Sequence, residues 1–143
     1  MAVRVLVDTN VLLDYLLWRE PYADDAREII VACKQKRIAG CIAAHTVSNM
    51  FFILRKAYSV NERRNILKDI CKLFEVEGID RTKVLQALNN EDFKDFEDCL
   101  QMECAKSFGA DCIVSRNVAD FSNSEVECIS PGDFCKKYIG MER

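Results

Sequence analysis

The chain has few of the residues that interrupt regular structure, with five glycines and two prolines in 143 residues. This scarcity, with no visible low-complexity stretch, argues against flexible linkers and disordered segments. No apolar run approaches the ~18 residues that a membrane-spanning helix requires, so we expect no membrane association. The apolar stretch before Asp8 is too short for a signal peptide, which predicts a cytoplasmic protein.

The chain also has a single histidine, His45, which narrows the chemistry open to it. No partner motif accompanies His45 for Ser/His/Asp catalysis, and no Gly-rich loop suggests a phosphate-binding nucleotide site. None of the eight cysteines forms a CxxC pair, so the sequence has no zinc signature. A disulfide framework is the alternative for these cysteines, but their apolar surroundings favour buried free thiols in a reducing compartment.

The order of apolar segments predicts a single domain over residues 1–143 with alternating strands and helices. Residues 3–7 are β-branched-rich and apolar, which is typical of a central strand buried on both faces. Further strands are expected at 41–44, 75–79, 111–115 and 126–130. Helices are expected at 11–17, 22–37, 46–58, 81–90, 95–108 and 131–139. One further helix is expected to begin at a cap on Asn61. This alternation predicts a three-layer α/β/α sandwich with a mostly parallel central sheet.

Acidic residues follow the first strand and begin a later helix. Asp8 comes directly after the strand at 3–7, while Asp95 and Asp98 share one face at the start of the helix at 95–108. Asp120 lies in the loop after the strand at 111–115, and this loop meets Asp8 if the two strands are neighbours. Magnesium prefers such oxygen ligands, and clustered carboxylates become tolerable when a divalent cation lies between them.

A purely structural interpretation of the same residues stays open. Asp8 is suited to a turn or a helix cap, and Asp95 is suited to capping its own helix. An acidic run is most often a solvated surface. The feature that favours metal binding is the carboxylate placed directly after a buried apolar strand.

Three motifs together resemble the PIN domain, and more closely its VapC-like branch. They are VLVDTNVLLDYL at 5–16, HTVSNMFFILRK at 45–56 and DFEDCLQMECAKSFGADCIVSRNVADF at 95–121. The resemblance extends from Val3 to about Phe134. It implies the α/β/α fold and endoribonuclease activity with Mg²⁺ or Mn²⁺, and it brings the possibility of a toxin paired with an antitoxin.

The resemblance also assigns roles to individual positions. Asp8 and Asp98 match the family's principal metal-binding aspartates, and Asp95 matches the acid one turn before the second of these. Asn10 and Ser115 match polar residues that surround the metal.

Two positions depart from the family pattern. Asn49 stands where the family has a glutamate, and Asn117 stands where it often has an aspartate, with Asp120 as a substitute three residues later. Each asparagine removes one negative charge, so weaker metal binding is expected. A non-catalytic module that binds nucleic acid or a protein partner is therefore the alternative to a nuclease.

The expected partners are RNA, a second copy of the chain and a cognate antitoxin, the last two only from the resemblance. The net charge of −3 does not favour long-range attraction of nucleic acid. Basic residues can still contact phosphates locally. Arg55, Lys56 and Arg116 are the candidates for contacts with RNA phosphates. An ordinary solvated helix face is the alternative for Arg55 and Lys56.

Overall fold

The computed structural model describes residues 2–140. Its centre is a five-stranded sheet in the order β3-β2-β1-β4-β5, in which each neighbouring pair is parallel. The mostly parallel sheet predicted from the sequence is confirmed, and the described strands are parallel throughout. The strands are β1 (Arg4–Val7), β2 (Ala39–Ala43), β3 (Glu75–Glu77), β4 (Cys112–Val114) and β5 (Cys128–Ile129).

Helices connect these strands and cover both faces of the sheet. The core strand β1 places Val5 and Val7 in one apolar cluster and Leu6 in the other, because successive side chains point to opposite faces. Helices α1 to α4 and α7 supply the first cluster, while α5 and α6 supply the second. They are α1 (Thr9–Leu16), α2 (Ala23–Lys34), α3 (Ala44–Ile53), α4 (Val60–Leu73), α5 (Arg81–Asn89), α6 (Phe96–Phe108) and α7 (Pro131–Phe134).

Most predicted elements are present, although many boundaries shift by a few residues, and three helices differ most. Ser59, not Asn61, caps α4, because the Ser59 hydroxyl accepts from the Glu62 N–H while the Glu62 carboxylate accepts from the Ser59 N–H. Helix α3 begins directly after β2, and a short 3₁₀ turn over Leu54–Lys56 replaces its predicted last turn. Only the first residues of the predicted helix at 131–139 are α-helical, and a π-helical turn over Cys135–Ile139 follows.

At the end of α6 the backbone adopts a conformation that favours glycine. Gly109 has φ of +71°, a left-handed conformation that ends the helix and that other residues adopt at a cost. This turn returns the chain to β4.

None of the eight cysteines, which all lie within residues 2–140, forms a disulfide, and six of them are buried, as the apolar patterns predicted. Of the other two, Cys128 in β5 is partly buried and Cys71 lies exposed on α4. Burial raises the pKa of Cys112 and Cys128 to about 12, so both stay protonated as small apolar groups. Within residues 2–140, no helix is both long and apolar enough to cross a membrane.

Candidate functional site

The carboxyl ends of β1 and β4 lie side by side. Val7 pairs with Val114, and the Asp8 N–H donates to the Val114 carbonyl at 3.0 Å. The predicted meeting of Asp8 with the loop after β4 is therefore confirmed. In open parallel sheets this edge is where ligands bind.

Asp8 is buried, with 6% of its surface exposed, and neutral groups donate to it. Its Oδ1 accepts from the Thr9 N–H at 2.7 Å, which also caps α1. Its Oδ2 accepts from Ser115 Oγ at 2.7 Å and from Asn10 Nδ2 at 3.3 Å. Burial nevertheless raises the pKa of Asp8, because desolvation of the carboxylate outweighs the hydrogen bonds from Ser115 and Thr9.

Gln101 and Thr46 also support Asp8, although the sequence did not indicate either residue. Gln101 Nε2 donates to Asp8 Oδ1 at 3.2 Å and to Thr46 Oγ1 at 3.1 Å, and Thr46 shares a hydrogen bond with Thr9 at 3.0 Å. The available signal was spacing, since Gln101 lies one turn beyond Asp98 on the same face of α6. A buried glutamine within an otherwise apolar helical pattern is the residue that this spacing singles out.

Asp98 projects from the first turn of α6 toward Asp8. Partial burial and the neighbouring charges of Asp95, Asp8 and Asp120 raise the pKa of Asp98 to about 7. The Asp95 Oδ1 accepts from the Asp98 N–H at 2.9 Å, so Asp95 caps the helix as the structural interpretation expected. One oxygen of Asp95 is thereby engaged, and a metal-binding role for this residue stays a prediction.

Asp8 and Asp98 line one open pocket of about 310 Å³, which we call the acidic pocket. Asn10, Asn49 and Asn117 line it as well, so three of the predicted supporting residues converge there. Among the described residues its lining does not include Asp95 or Asp120, which are exposed nearby. The full lining is Asp8, Thr9, Asn10, Leu13, Arg19, His45, Asn49, Ile53, Glu97, Asp98, Gln101 and Asn117.

The chain's one histidine also lines the acidic pocket, which the sequence did not indicate. His45 lies in the first turn of α3, directly after β2, and β2 is the neighbour of β1. Burial lowers the pKa of His45, and the carboxylates of Glu97, Asp8 and Asp95 oppose that shift. The imidazole is therefore neutral near pH 7.

The oxygen groups of the acidic pocket fit a hard divalent cation. Within residues 2–140 no three His, Cys, Asp or Glu side chains are grouped as a metal site. Magnesium, however, is commonly held by one or two carboxylates with several waters, and Asp8 and Asp98 supply two carboxylates. Asn49 and Asn117 add neutral carbonyl oxygens to the lining of the same pocket.

Arg116 lies beside this pocket but is engaged elsewhere. Its Nε and a terminal nitrogen donate to the two oxygens of Asp14 at 2.7 and 3.2 Å. Its guanidinium also lies over the Tyr22 ring, 4.1 Å from the centroid. These contacts hold the loop after β4 against α1, and the predicted phosphate contact of Arg116 stays a prediction.

Arg55 and Lys56 lie exposed on the 3₁₀ turn after α3. Arg55 donates to the Phe52 carbonyl at 3.0 Å and covers the exposed Phe52 ring. Ile53, at the end of α3, lines the acidic pocket, so the turn continues from its wall.

Comparisons with known proteins agree with this architecture. A family model described as PIN domain matches residues 4–119. Ribonuclease VapC1 of Aquifex aeolicus (strain VF5) is 24% identical over 94% of this chain and 95% of that protein.

Solved structures also share this fold, two of them as follows. A chain of a toxin-antitoxin complex from Klebsiella pneumoniae has a TM-score of 0.67 at 19% identity, covering 89% of this chain and 97% of that one. A chain of VapBC-1 from nontypeable Haemophilus influenzae has a TM-score of 0.66 at 13% identity, covering 91% of this chain and 99% of that one. At these identities the likeness concerns the fold.

Proposed function

Because the chain belongs to the PIN domain family, we propose that it is a Mg²⁺- or Mn²⁺-dependent endoribonuclease. The observation that supports this most is the meeting of Asp8 and Asp98 in the acidic pocket. These carboxylates come from distant parts of the chain, and burial raises the pKa of both. Two such groups repel each other unless a cation or a proton compensates them.

Asp8 and Asp98 are the proposed principal ligands of the cation, and Asp95 or Asp120 completes its negative surroundings. The charges of Asp95 and Asp120 reach Asp98, since both raise its pKa. When bound, the cation would stabilise negative charge on the phosphate and lower the pKa of water.

The protein's own contribution to the reaction is to hold the Asp8 carboxylate in place for the cation. Ser115, Asn10, Thr9 and Gln101 each donate to its oxygens, so its orientation is set before any ligand enters. Such preorganisation spares the reaction the cost of ordering the site.

RNA phosphates away from the scissile bond would contact the basic turn at Arg55 and Lys56. Both side chains are exposed beside the pocket wall, whereas Arg116 is paired with Asp14. We retain Arg116 as a third candidate, because its side chain is not fully buried. An RNA affinity that Arg116→Ala leaves unchanged would remove it.

We further propose that the chain is the toxin of a toxin–antitoxin pair and that it forms a homodimer in the cytoplasm. The support is its similarity to Ribonuclease VapC1 and, in fold, to a chain of a toxin-antitoxin complex. Growth arrest on expression of the wild type, relieved by Asp8→Asn, would support the toxin role.

A non-catalytic binding module is the alternative. It is favoured by the neutral Asn49 and Asn117 in the acidic pocket and by the lack of a three-residue metal-ligand group within residues 2–140. Under this alternative the pocket binds RNA or a protein without hydrolysis.

Cleavage of a mixed RNA pool separates the two functions. We expect the wild type to cut RNA with Mg²⁺ or Mn²⁺ and to stop when a chelator is added. Asp8→Asn and Asp98→Asn should lose at least about 100-fold in rate, since each removes a charge from the cation site. Asp69→Asn, an exposed acid on α4, is the matched control. Equal activity of Asp8→Asn and wild type would exclude the proposed nuclease.

A further inference from the structure

The described part of the chain contains three buried side-chain nitrogen or oxygen atoms without a hydrogen-bond partner. They are both ring nitrogens of His45 and Oε1 of Gln101. Both residues line the acidic pocket. Buried polar groups in folded proteins are nearly always satisfied, because leaving one unpaired is costly. Unpaired atoms on two residues of one pocket's lining point to a ligand that gives Gln101 Oε1 a donor and one His45 ring nitrogen a partner.

The orientation of the Gln101 amide is fixed by its neighbours. Its Nε2 donates to Asp8 Oδ1 at 3.2 Å and to Thr46 Oγ1 at 3.1 Å. An ionised carboxylate only accepts, so the amide nitrogen has to face Asp8 and the oxygen has to face away. Gln101 Oε1 is therefore a fixed, buried hydrogen-bond acceptor that lacks a donor.

His45 supplies the complementary group. Neutral imidazole has one N–H donor and one acceptor nitrogen, and burial favours this neutral form. The side chain follows β2 directly, on the side of the sheet edge where Asp8 follows β1. The pocket thus combines a fixed acceptor from α6 with a donor from α3.

We infer that His45 and Gln101 form a subsite for a ribose 2′-hydroxyl of RNA, next to the scissile phosphate. The location beside a scissile phosphate rests on the proposed nuclease function. A hydroxyl both donates and accepts, so it can donate to Gln101 Oε1 and accept from the His45 ring N–H. A phosphate oxygen only accepts, so it leaves Oε1 unpaired, and Asp8 and Asp98 repel it.

This subsite would give the protein a means of distinguishing RNA from DNA. The 2′-hydroxyl is the group by which a site tells the two apart. His45 is then a specificity-determining contact, and Gln101 has two roles, since it also positions Asp8.

Binding of matched oligonucleotides tests the inference without requiring cleavage. The probes are a 12-nucleotide mixed-sequence RNA, its 2′-deoxy equivalent and its 2′-fluoro equivalent, with Ca²⁺ in place of Mg²⁺ and fluorescence anisotropy as the readout. We expect the wild type to bind RNA about tenfold more tightly than either analogue, the effect of roughly one to two hydrogen bonds. Equal affinity for RNA and 2′-fluoro RNA would overturn the subsite without any variant.

Variants of His45 then assign the preference to this residue. His45→Phe should lower RNA affinity to that of the deoxy probe and leave the deoxy affinity unchanged. His45→Gln, which keeps a donor and an acceptor, should restore part of the preference. Gln86→Ala, at an exposed position of α5, should match the wild type. If His45→Phe weakens both probes equally, or retains the RNA preference, the inference is wrong.

The outcome is separable from that of the nuclease proposal. A wild type that prefers RNA through His45 but never cleaves it would exclude the nuclease and keep the subsite. A wild type that cleaves RNA with a preference independent of His45 would exclude the subsite and keep the nuclease.

Discussion

Two buried aspartates at helix α1 have opposite electrostatic surroundings. Asp14 has none of its surface exposed and accepts two hydrogen bonds from Arg116, with Arg19 at 3.6 Å. Asp8 is nearly as buried, but its hydrogen bonds come from neutral hydroxyl, amide and backbone groups. Both carboxylates follow from the same sequence motif, yet only Asp14 has a charge of opposite sign within hydrogen-bond distance.

The difference separates a structural carboxylate from a candidate functional one. A buried ion pair fixes two elements together, and here it joins α1 to the loop after β4. A buried carboxylate without a cation costs free energy that the fold alone does not recover. Asp8 is therefore the aspartate that a ligand cation would stabilise.

The largest effect is expected when the ion pair between Asp14 and Arg116 is broken. Asp14→Ala should lower the free energy of unfolding by about 3–5 kcal/mol, because it leaves Arg116 without its buried partner. Urea denaturation measures the loss. Asp69→Ala is the control. The Asp69 and Lys72 side chains form an ion pair at 3.8 Å, both are more than 70% exposed, and such exposed pairs contribute little to stability. A loss below that of the control would mean that Asp14 is not structural.

Asp8 should respond to a cation where Asp14 does not. With Mg²⁺ at about ten times its Kd, the wild type should gain about 1.4 kcal/mol in unfolding free energy, because the cation binds the folded state. Asp8→Asn should gain nothing. Thermal unfolding with Mg²⁺ and with chelator measures both, and Asp69→Asn should behave as the wild type. A gain that survives in Asp8→Asn would place the cation elsewhere.

Asp98 makes the stability of the fold depend on pH. Its pKa of about 7 lies above the ordinary value of 3.8, so its stabilising effect is complete below about pH 4 and is lost as the pH rises through 7. In chelator, Asp98→Asn should therefore be more stable than the wild type at pH 8, by about 1 kcal/mol because solvent screens this half-exposed group. Urea denaturation at pH 4.5 and pH 8 measures the change. A wild type as stable as Asp98→Asn at pH 8 would contradict the crowding of charge around Asp98.

The fold was largely predictable because its signals are local. Apolar, β-branched strands such as residues 4–7 and the glycine at 109 specify their elements without reference to distant residues. One helix boundary that differed, the start of α4, depends on side-chain hydrogen bonds, because Ser59 and Glu62 pair there. That capping box was present in the sequence as Ser-x-x-Glu.

The position of Asp8 at the carboxyl end of the sheet was predictable, because Asp8 directly follows an apolar strand. The partners of Asp14 and Asp8 were not predictable, since Arg116 and Gln101 lie about 100 positions away in the chain. Which of the two carboxylates receives the arginine is decided by packing between α1 and the loop after β4. Sequence spacing contains no information about that choice.

The prediction with the smallest expected effect concerns the neutral groups that donate hydrogen bonds to Asp8, where Asp14 has an arginine. Ser115 is fully buried, and its hydroxyl donates to Asp8 Oδ2 at 2.7 Å and so lowers the pKa of Asp8. Ser115→Ala should raise that pKa further, so the acidic limb of kcat/KM for RNA cleavage moves to higher pH. Since the carboxylate has to be ionised to bind a cation, activity on the acidic limb should fall roughly three- to tenfold, with a smaller loss at pH 8. Ser107→Ala, exposed at the end of α6, should leave the profile unchanged. An equal loss on the acidic limb and at pH 8 would mean that Ser115 only positions Asp8, and the contrast with Asp14 would then rest on geometry and not on charge.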